Sequence, residues 1–315
     1  MRSYSFKVTI QYLTTPMLVV GIIIASILQV LAILFITLQL TGLQQYHEST
    51  FTNYKPTVDI VISRYNESLD WLCAPIIANH IKNPANKTTI YIYNKGINNV
   101  TAEFMRCYQS TIVDLHVVEV PNVGRCDHTY LYHIIKMYDD LADVTVFLPA
   151  SCEMDSKVNK SWFVVANACT SRDTVFVNEH PGRVIDTVGG FKLDRWISGH
   201  GDNSKVNKDD SMELANPRPF KAWFEKVFTG PDRDAEGITY SAIFAMSRKD
   251  ILNRSRTSYG EIIKHVNTHN NPEAGHYIER SWAAIFYPVS NDRMFNNGYG
   301  QQFKNCEGTK WVCTN

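Results

Sequence analysis

Hydrophobic and polar positions change period along the chain, most clearly between Asn122 and Asp155. Tyr130, Ile134 and Tyr138 recur at spacings of four, which places them on one side of a helix. The next apolar run, Val144 to Leu148, is β-branched and aromatic, which is typical of a buried strand. This stretch therefore predicts a helix, a loop and a buried strand that ends in an acidic cluster.

Three earlier runs have the same strand character, at Val58 to Ser63, Thr88 to Tyr93 and Val113 to Val120. We expect helices between them, from about Leu69 to Asn79 and over Thr101 to Ser110. Strands that alternate with helices at this spacing predict βαβ units and a mostly parallel sheet. We therefore expect an α/β fold with a single Rossmann-like sheet flanked by helices.

The pattern is weaker in the C-terminal half. A polar stretch from Gly199 to Pro219 predicts a long loop. Beyond it, the periodicity predicts helices over Phe220 to Val227 and His276 to Phe286, and a strand over Thr239 to Met246. Ser247 is expected to cap the helix that follows this strand.

An uncharged run from Met17 to Leu38 consists mostly of Ile, Leu and Val. About 20 such residues span a bilayer core as one transmembrane helix, and the apolar region of a cleaved signal peptide is shorter. Arg2 and Lys7 precede the run, whereas Thr41 to Tyr54 contains no Lys or Arg, so the positive-inside rule keeps the N-terminus cytoplasmic. We expect a single-pass type II membrane protein with its body in an ER-type, Golgi-type or host endomembrane lumen.

These patterns divide the chain into successive regions. They are a cytoplasmic tail (1–16), a transmembrane anchor (17–40), a stem (41–56), an α/β domain (57–290) and a C-terminal tail (291–315). A luminal body would expose Asn-x-Ser/Thr sequences to glycosylation and would permit disulfides. The candidate glycan acceptors are Asn66, Asn86, Asn99, Asn159 and Asn253. Among the cysteines, Cys306 and Cys313 are the pair that a short loop could join.

Charge and motif content narrow the function classes. The formal net charge is zero, so the sequence does not indicate a nucleic-acid partner. No Gly-x-Gly-x-x-Gly follows the first predicted strand, and Walker, His-Glu-x-x-His and Gly-x-Ser-x-Gly sequences do not occur. Dinucleotide-cofactor, zinc-protease and serine-hydrolase interpretations therefore lose their usual support.

Polar side chains follow each of the first four predicted strands. Because right-handed crossovers bring the carboxyl ends of parallel strands to one rim, we expect these side chains to share a ligand site. A polar rim of this kind suits a substrate that carries a nucleotide. The residues, in strand order, are Arg64, Asn66 and Glu67; Asn94 and Lys95; Asn122 and Arg125; and Glu153 and Asp155.

Three segments, Val58 to Leu72, Asn122 to Ala150 and Thr239 to Pro288, together resemble the family catalogued as domain of unknown function 3431. The resemblance covers most of residues 57–288. That family is similar to A-type glycosyltransferases, which bind nucleotide sugars on a single Rossmann-like domain. The chain departs from the family pattern at Cys126, where Glu is usual, and at Pro149, where Gln is frequent.

Glu153 and Asp155 have the spacing of the Asp-x-Asp motif of A-type glycosyltransferases. In that motif, two carboxylates hold a divalent cation, Mn²⁺ or Mg²⁺, that bridges the diphosphate of the donor. The resemblance implies this role here. A solvated acidic loop explains the same pair equally well.

The resemblance also implies a nucleotide-sugar site formed by Arg64, Asn66, Glu67, Asn122 and Arg125. Arg64 and the adjacent backbone amides would contact the diphosphate, and Asn66 or Glu67 the ribose or base. Asn66 could instead cap the next helix. Arg125 at a helix N-terminus suits a phosphate, and an ion pair with Asp127 is the alternative.

Inverting A-type enzymes need a carboxylate base that deprotonates the acceptor hydroxyl, and the resemblance places this role at Glu279. Trp282, one turn further on, could stack on an acceptor sugar. The alternatives are an ion pair between Glu279 and Arg280 and a core position for Trp282.

The leading hypothesis is a membrane-anchored glycosyltransferase that moves a sugar from a nucleotide-sugar donor to a glycan or glycoprotein acceptor. A second class is a non-catalytic glycan-binding or scaffold protein that retains the fold, which Cys126 and Pro149 favour. A third class is a hydrolase that uses the same carboxylates. It is disfavoured because no close carboxylate pair with a clear acid and base is visible.

Overall fold

A computed structural model describes residues 25–39, 54–97, 100, 108, 113–197, 211–296, 306–307 and 312–313. The chain divides into two compact units, Met1–Tyr54 and Lys55–Asn315. Several predicted features lie outside the described residues: the N-terminal tail, most of the stem, most of the helix expected over Thr101 to Ser110, and residues 198–210 of the expected loop.

In the first unit, residues 25–39 form a helix with exposed side chains. Within it, the Thr37 hydroxyl donates a hydrogen bond of 2.8 Å to the carbonyl oxygen of Ile33. Across the described ranges, no helix reaches both the length and the apolar character that crossing a membrane requires. Residues 17–24 of the predicted span lie outside those ranges.

The second unit is a mixed α/β domain. Its strands are β1 (Thr57–Arg64), β2 (Lys87–Asn94), β3 (Asp114–Glu119), β4 (Val144–Pro149), β5 (Phe176–Asn178), β6 (His180–Arg183), β7 (Glu236–Ile238), β8 (Phe244–Ser247), β9 (Met294–Asn296), β10 (Cys306–Glu307) and β11 (Val312–Cys313). The central sheet has five strands in the order β3-β2-β1-β4-β8. The first four are parallel, and β8 runs antiparallel to β4. The predicted mostly parallel sheet is confirmed.

Smaller two-stranded sheets surround the central one. They pair β5 with β9, β6 with β7, and β10 with β11. In the last of these, Cys306 is in register opposite Cys313. Cys73 is disulfide-bonded. Within the described part of the chain, the free thiols are Cys126, Cys152 and Cys169.

Helices cover both faces of the central sheet. They are α1 (Pro75–Ile81), α2 (Arg125–Met137), α3 (Asp155–Ser171), α4 (Val184–Val188), α5 (Phe220–Val227), α6 (Arg248–Leu252), α7 (Arg256–Ile263), α8 (Glu273–Arg280) and α9 (Trp282–Ile285). Short 3-10 turns lie at Asp70–Cys73, Gly230–Asp234, Lys264–Val266 and Asn291–Arg293.

Alternate residues along the strands belong to two separate apolar clusters. Val61 and Phe147 face a cluster that contains side chains of α2, α5, α8 and α9. Ile60 and Val146 face the opposite cluster, which contains side chains of α1 and α3. Because both faces are covered, β1 and β4 are buried along almost their whole length, which explains their largely apolar, β-branched sequences.

Three predicted elements differ from the observed ones. The helix expected after β1 splits into a 3-10 turn and α1, which begins at Pro75, since proline suits the first helical position. The last expected helix breaks at Ser281 into α8 and α9. The strand expected over Thr239 to Met246 is interrupted, because Ser241 and Ala242 have left-handed backbone angles, with φ of 63° and 52°. The predicted cap is confirmed, since the Ser247 hydroxyl accepts from the amide of Asp250.

The strand order fixes where a ligand site can form. From β1 the chain proceeds to β2 and β3 on one side, and then returns to β4 on the other side of β1. Loops that leave β1 and β4 therefore diverge and open a crevice between them. In open α/β sheets, ligands bind in this crevice at the carboxyl ends of the strands.

Candidate active site

A cavity of about 420 Å³ lies at this position. Ser63 and Arg64 line it from the end of β1, Lys95 from the residue after β2, and Pro149 and Ser151 from the end of β4 and the turn after it. Other walls come from the N-terminal turns of α2 and α3, from the turn before β8 and from α8. We call this the strand-end cavity.

The structure brings six of the predicted site residues to the strand-end cavity: Arg64, Glu67, Lys95, Asn122, Arg125 and Glu279. The other five predicted residues do not line it. They are Asn66, Asn94, Glu153, Asp155 and Trp282.

Trp282 is a core residue with no exposed surface. Its ring stacks on Phe286 with a centroid separation of 5.6 Å and contacts Phe244 at 4.9 Å. A side chain sealed in this way cannot contact an acceptor sugar. The prediction of an acceptor-binding role for Trp282 is therefore wrong, and the core alternative is correct.

Glu153 and Asp155 do not line the strand-end cavity. Glu153 lines a separate surface depression beside Asp70 and Trp71, and Asp155 is exposed at the start of α3. Among the described residues, no group of three or more His, Cys, Asp or Glu side chains is arranged to hold a metal ion. The predicted pair therefore lies outside the lining of the strand-end cavity, and its assignment as metal ligands stays a prediction.

Asn66 faces the loop after β2. Its Oδ1 atom is buried and has no hydrogen-bond partner in the described structure. A Cβ atom added to Gly96 would lie 2.3 Å from this oxygen and 1.6 Å from the carbonyl oxygen of Tyr65, so only glycine fits there. Asn66 therefore supports the packing of two loops and does not line the cavity as predicted.

Arg64 and Glu67 form a rigid turn after β1. The Arg64 guanidinium donates to the carbonyl of Glu67 at 2.9 Å and to Asn94 Oδ1 at 2.8 Å. The Glu67 carboxylate accepts from the backbone amides of Tyr65 (2.7 Å) and Asn66 (3.1 Å). Because both side chains are buried and bonded to the backbone, this turn presents a preorganised wall to a ligand.

Arg125 begins α2 in a left-handed conformation, with φ of 52°, directly after Gly124, with φ of 58°. A non-glycine residue in this region carries backbone strain of order 1–3 kcal/mol, and such strain clusters at functional sites. Lys95 holds the turn in place, since its ammonium group donates to the carbonyl oxygens of Val123 (2.7 Å) and Arg125. Burial lowers the pKa of Lys95 to about 8, so it is still largely cationic at neutral pH.

The Arg125 guanidinium lies over the Trp196 ring, with Cζ 3.8 Å from the ring centroid. Its Nη1 atom is 2.6 Å from Nε2 of His276 on α8. Burial, together with the charges of Arg125 and Arg280, lowers the pKa of His276 to about 2, so the imidazole is neutral and can accept a hydrogen bond. The alternative ion pair with Asp127 does not form within 4.0 Å.

Asp127 lies on α2 with 4% of its surface exposed and borders the cavity. Its Oδ1 atom has no hydrogen-bond partner in the described structure. Burial, reinforced by the charge of Glu279, raises the pKa of Asp127 to about 8, so the carboxyl is mostly protonated at neutral pH. A neutral carboxyl of this kind can donate a hydrogen bond to a ligand oxygen.

Glu279 lies on α8 and is held from two sides. Its Oε1 atom accepts from the backbone amide of Ser241 at 2.8 Å. Its Oε2 atom is 3.5 Å from Arg280 and 3.9 Å from His276 Nδ1. Because the contacts of Oε2 are longer and the side chain is 19% exposed, this oxygen can accept a proton from a bound molecule.

The turn that contacts Glu279 is supported from beneath by Lys160. This buried lysine donates to the carbonyl oxygen of Tyr240 (2.6 Å), to Thr239 Oγ1 (2.7 Å) and to the carboxylate of Glu179 (2.8 Å). Ala242 is fixed from the other side, since its carbonyl oxygen accepts from the Tyr130 hydroxyl at 3.0 Å. The left-handed turn is therefore held by buried polar contacts on both sides.

Sequence reasoning missed several residues that line the cavity: Asp127, Lys157, Trp196, His276 and Arg280. A signal existed for Asp127, which lies two residues from Arg125 in the first turn of a predicted helix. His276 precedes the predicted base Glu279 by three residues, and Arg280 follows it directly. Their positions on the same predicted helix were therefore the available signal. Trp196 had no signal, because its position depends on long-range packing.

The chain matches one family over most of its length. A family model described as Protein of unknown function (DUF3431) matches residues 60–307. No significant match to a curated protein was found.

Solved structures with similarity to the chain include three glycosyltransferases. The bifunctional glycosyltransferase WbbM in its apo form is 10% identical with a TM-score of 0.35, over 78% of this chain and 39% of WbbM. The mannosyltransferase PcManGT from Pyrobaculum calidifontis, in complex with GDP-Man and Mn²⁺, is 11% identical with a TM-score of 0.32, over 79% of this chain and 60% of PcManGT. The galactosyltransferase LgtC, in complex with donor and acceptor sugar analogues, is 12% identical with a TM-score of 0.29, over 76% of this chain and 72% of LgtC.

Proposed function

The chain belongs to the family described as Protein of unknown function (DUF3431), and we propose that it is a glycosyltransferase that moves a sugar from a nucleotide-sugar donor to a glycan or glycoprotein acceptor. The observation that carries this proposal is the charge pattern of the strand-end cavity. Of the described residues that line it, five are Lys or Arg and three are Asp or Glu. Cations bind the phosphates of a donor, and a carboxylate can remove a proton from an acceptor.

The two kinds of charge are separated along the cavity. Arg64 and Lys95 approach from the ends of β1 and β2, where a nucleotide binds in open α/β sheets. Glu279 approaches from α8, next to the turn that contains Ser241. This arrangement supports a donor at the strand ends and an acceptor beside Glu279.

In the proposed reaction, Oε2 of Glu279 takes the proton of an acceptor hydroxyl. The acceptor oxygen forms a bond to the anomeric carbon of the donor sugar, and the bond from that carbon to the phosphate oxygen breaks. The electron pair of the broken bond leaves with the nucleoside diphosphate, whose added charge is stabilised by the cationic side chains. The neutral carboxyl of Asp127 donates a hydrogen bond to a donor or phosphate oxygen.

We further propose that the apolar run over residues 17–38 anchors the protein in a membrane with a luminal body. The length and uncharged character of the run and the placement of Arg2 and Lys7 support this part of the proposal. Protease protection of the body in intact microsomes, lost on adding detergent, is the expected result. Cleavage of the body without detergent would contradict the orientation.

Thermal unfolding with UDP-, GDP- and CMP-linked sugars, each with and without Mn²⁺, tests the catalytic proposal. A donor at about 100 times its Kd stabilises the folded protein by about 2.7 kcal/mol, so one nucleotide class should raise Tm. The same donor should then release its nucleotide in the presence of acceptor glycans: a nucleoside diphosphate from a UDP- or GDP-linked sugar, or CMP from a CMP-linked sugar. Absence of any Tm change with all donors would contradict the transferase proposal and favour the non-catalytic interpretation.

A further inference from the structure

Three of the cations in the strand-end cavity lack an acidic partner. No Asp or Glu oxygen of the described residues lies within 4.0 Å of the side-chain nitrogens of Lys95, Arg125 or Lys157. Lys157 donates to the Ser151 hydroxyl at 2.6 Å, and Lys95 donates to backbone carbonyls. Their positive charges are therefore not neutralised within the described protein, which is costly unless an anionic ligand binds there.

Backbone dipoles add to this positive character. The first residues of α2, Arg125 to Asp127, line the cavity, and α3 contributes Lys157 together with its N-cap residue, Met154. Two helix N-termini therefore meet at the same space, and each carries a partial positive charge with unpaired amide groups. Anions, and phosphates in particular, are stabilised at such termini.

The described acidic side chains of the cavity are not grouped so as to hold a metal ion. Oε2 of Glu67 accepts from two backbone amides, and Oε1 of Glu279 accepts from the amide of Ser241. Asp127 is mostly protonated at neutral pH, because burial raises its pKa to about 8. A divalent cation would also meet the unpaired positive charges of Lys95 and Arg125, which repel it.

We propose that Arg125, Lys95 and Lys157 bind the donor diphosphate directly and take the place that a divalent cation on Glu153 and Asp155 was expected to fill. This inference rests on the proposed transferase function and deepens it. The leaving diphosphate gains one negative charge when its bond to the anomeric carbon breaks. Cations that are already fixed in place, and that no carboxylate neutralises, stabilise this added negative charge without any reorganisation of the protein.

Arg125 is the central group in this proposal. Its guanidinium is oriented by the ring of Trp196 and by His276, so it loses little conformational freedom when it binds a phosphate. Because His276 is neutral, it orients Arg125 without competing for its charge as a carboxylate would. Arg125 can therefore offer its remaining donors to phosphate oxygens in a fixed geometry.

Isothermal titration of the full chain with UDP, GDP and inorganic pyrophosphate, in EDTA and in Mn²⁺, tests the inference. We expect UDP or GDP, and pyrophosphate more weakly, to bind in EDTA. Arg125→Ala and Lys157→Ala should each weaken nucleotide binding about 10-fold or more, as expected for a lost charged hydrogen bond. The double variant E153A/D155A should bind the nucleotide as the wild type does.

Matched controls are Arg183→Ala and Lys136→Ala, two exposed positions that do not line the cavity. Nucleotide binding that requires Mn²⁺ and disappears in E153A/D155A would overturn the inference and leave the transferase proposal standing. Binding in EDTA that Arg125→Ala and Lys157→Ala leave unchanged would overturn it as well. If no nucleotide binds under any condition, the transferase proposal itself fails.

Discussion

The Lys95 ammonium group donates a hydrogen bond to the carbonyl oxygen of Arg125, and this contact joins the end of β2 to the start of α2. It fixes a turn in which two successive residues, Gly124 and Arg125, have left-handed backbone angles. The orientation of the Arg125 guanidinium therefore depends on the conformation of a turn and on a lysine from a neighbouring strand.

Gly124→Ala should destabilise this turn. A Cβ atom at this position would lie 2.0 Å from the carbonyl oxygen of Val266, and the φ of 58° is strained for alanine. We expect a loss of at least about 2 kcal/mol in unfolding free energy, measured by urea denaturation. Gly260→Ala is the matched control, because a Cβ atom there meets no atom within 4 Å. Equal stability of the two variants would contradict the prediction.

Glu279→Gln should abolish transfer and keep donor binding. The amide cannot accept the acceptor proton, and loss of a general base lowers kcat by about 10²- to 10⁴-fold. Release of nucleoside diphosphate measures kcat, and thermal unfolding with the donor measures binding. Glu261→Gln, at an exposed position on α7 paired with Lys264, should leave both unchanged. Full turnover in Glu279→Gln would remove Glu279 from the base role.

Trp282→Ala and Trp196→Ala should affect different properties. Removing the buried Trp282 ring leaves a cavity in the core and should cost about 3–5 kcal/mol of stability. Trp196 is only half-buried and stacks on Arg125, so its removal should lower nucleotide affinity with a much smaller effect on stability. Urea denaturation and nucleotide titration of both variants separate the two. The assignment fails if Trp282→Ala keeps wild-type stability.

Asp127→Asn should stabilise the protein, and more so at higher pH. Burial raises the pKa of Asp127 to about 8, from an ordinary value of 3.8. Between these values the unfolded chain has released this proton and the folded chain retains it, so the contribution of Asp127 to stability falls as pH rises. The cost is at most about 1.4 kcal/mol for each pH unit, and Asn does not incur it.

Urea denaturation at pH 5 and pH 7.5 measures this difference. The advantage of Asp127→Asn over the wild type should be larger at pH 7.5 than at pH 5. Asp140→Asn controls for the loss of a carboxylate at an exposed position. A difference between wild type and Asp127→Asn that does not change with pH would show that the folded-state pKa is not raised.

Glycosylation of a luminal body should be selective among the candidate sites. Asn86 is 2% exposed, and its amide nitrogen donates to the carbonyl of Cys169 at 2.8 Å, so a glycan there is incompatible with the fold. Asn159 and Asn253 are exposed. Mass spectrometry of protein expressed in a secretory host should find glycans at these two positions and an unmodified Asn86. A glycan on Asn86 in folded protein would contradict the described packing.

Local pattern was sufficient to predict most of the fold. β1, β2 and β4 are rich in apolar, β-branched and aromatic residues because both faces of the sheet are covered, and this composition is visible in the sequence without knowledge of partners. The loss of strand character at Ser241 and Ala242 was not visible. Their left-handed angles are imposed by contacts from Lys160 and Tyr130, which lie far away in the sequence.

The site was predictable where the fold alone decides the position. Arg64 and Arg125 reach the cavity because they end a strand and begin a helix at the switch point of the sheet. The fold does not determine the direction of a side chain when its residue lies in a turn. Glu153 and Asp155 follow β4 as expected, but the turn after the strand directs them to other surfaces. The spacing in the sequence identified these two carboxylates, but it did not predict which surface of the domain they occupy.

The residues that line the strand-end cavity range in sequence from Ser63, near the start of the α/β domain, to Arg280, near its end. Contacts between segments this distant in sequence form late, since loop closure must precede them. A chain truncated before α8 lacks the wall that His276, Glu279 and Arg280 provide. For the proposed nucleotide site, we therefore expect measurable affinity only in a chain that has folded through its last helices.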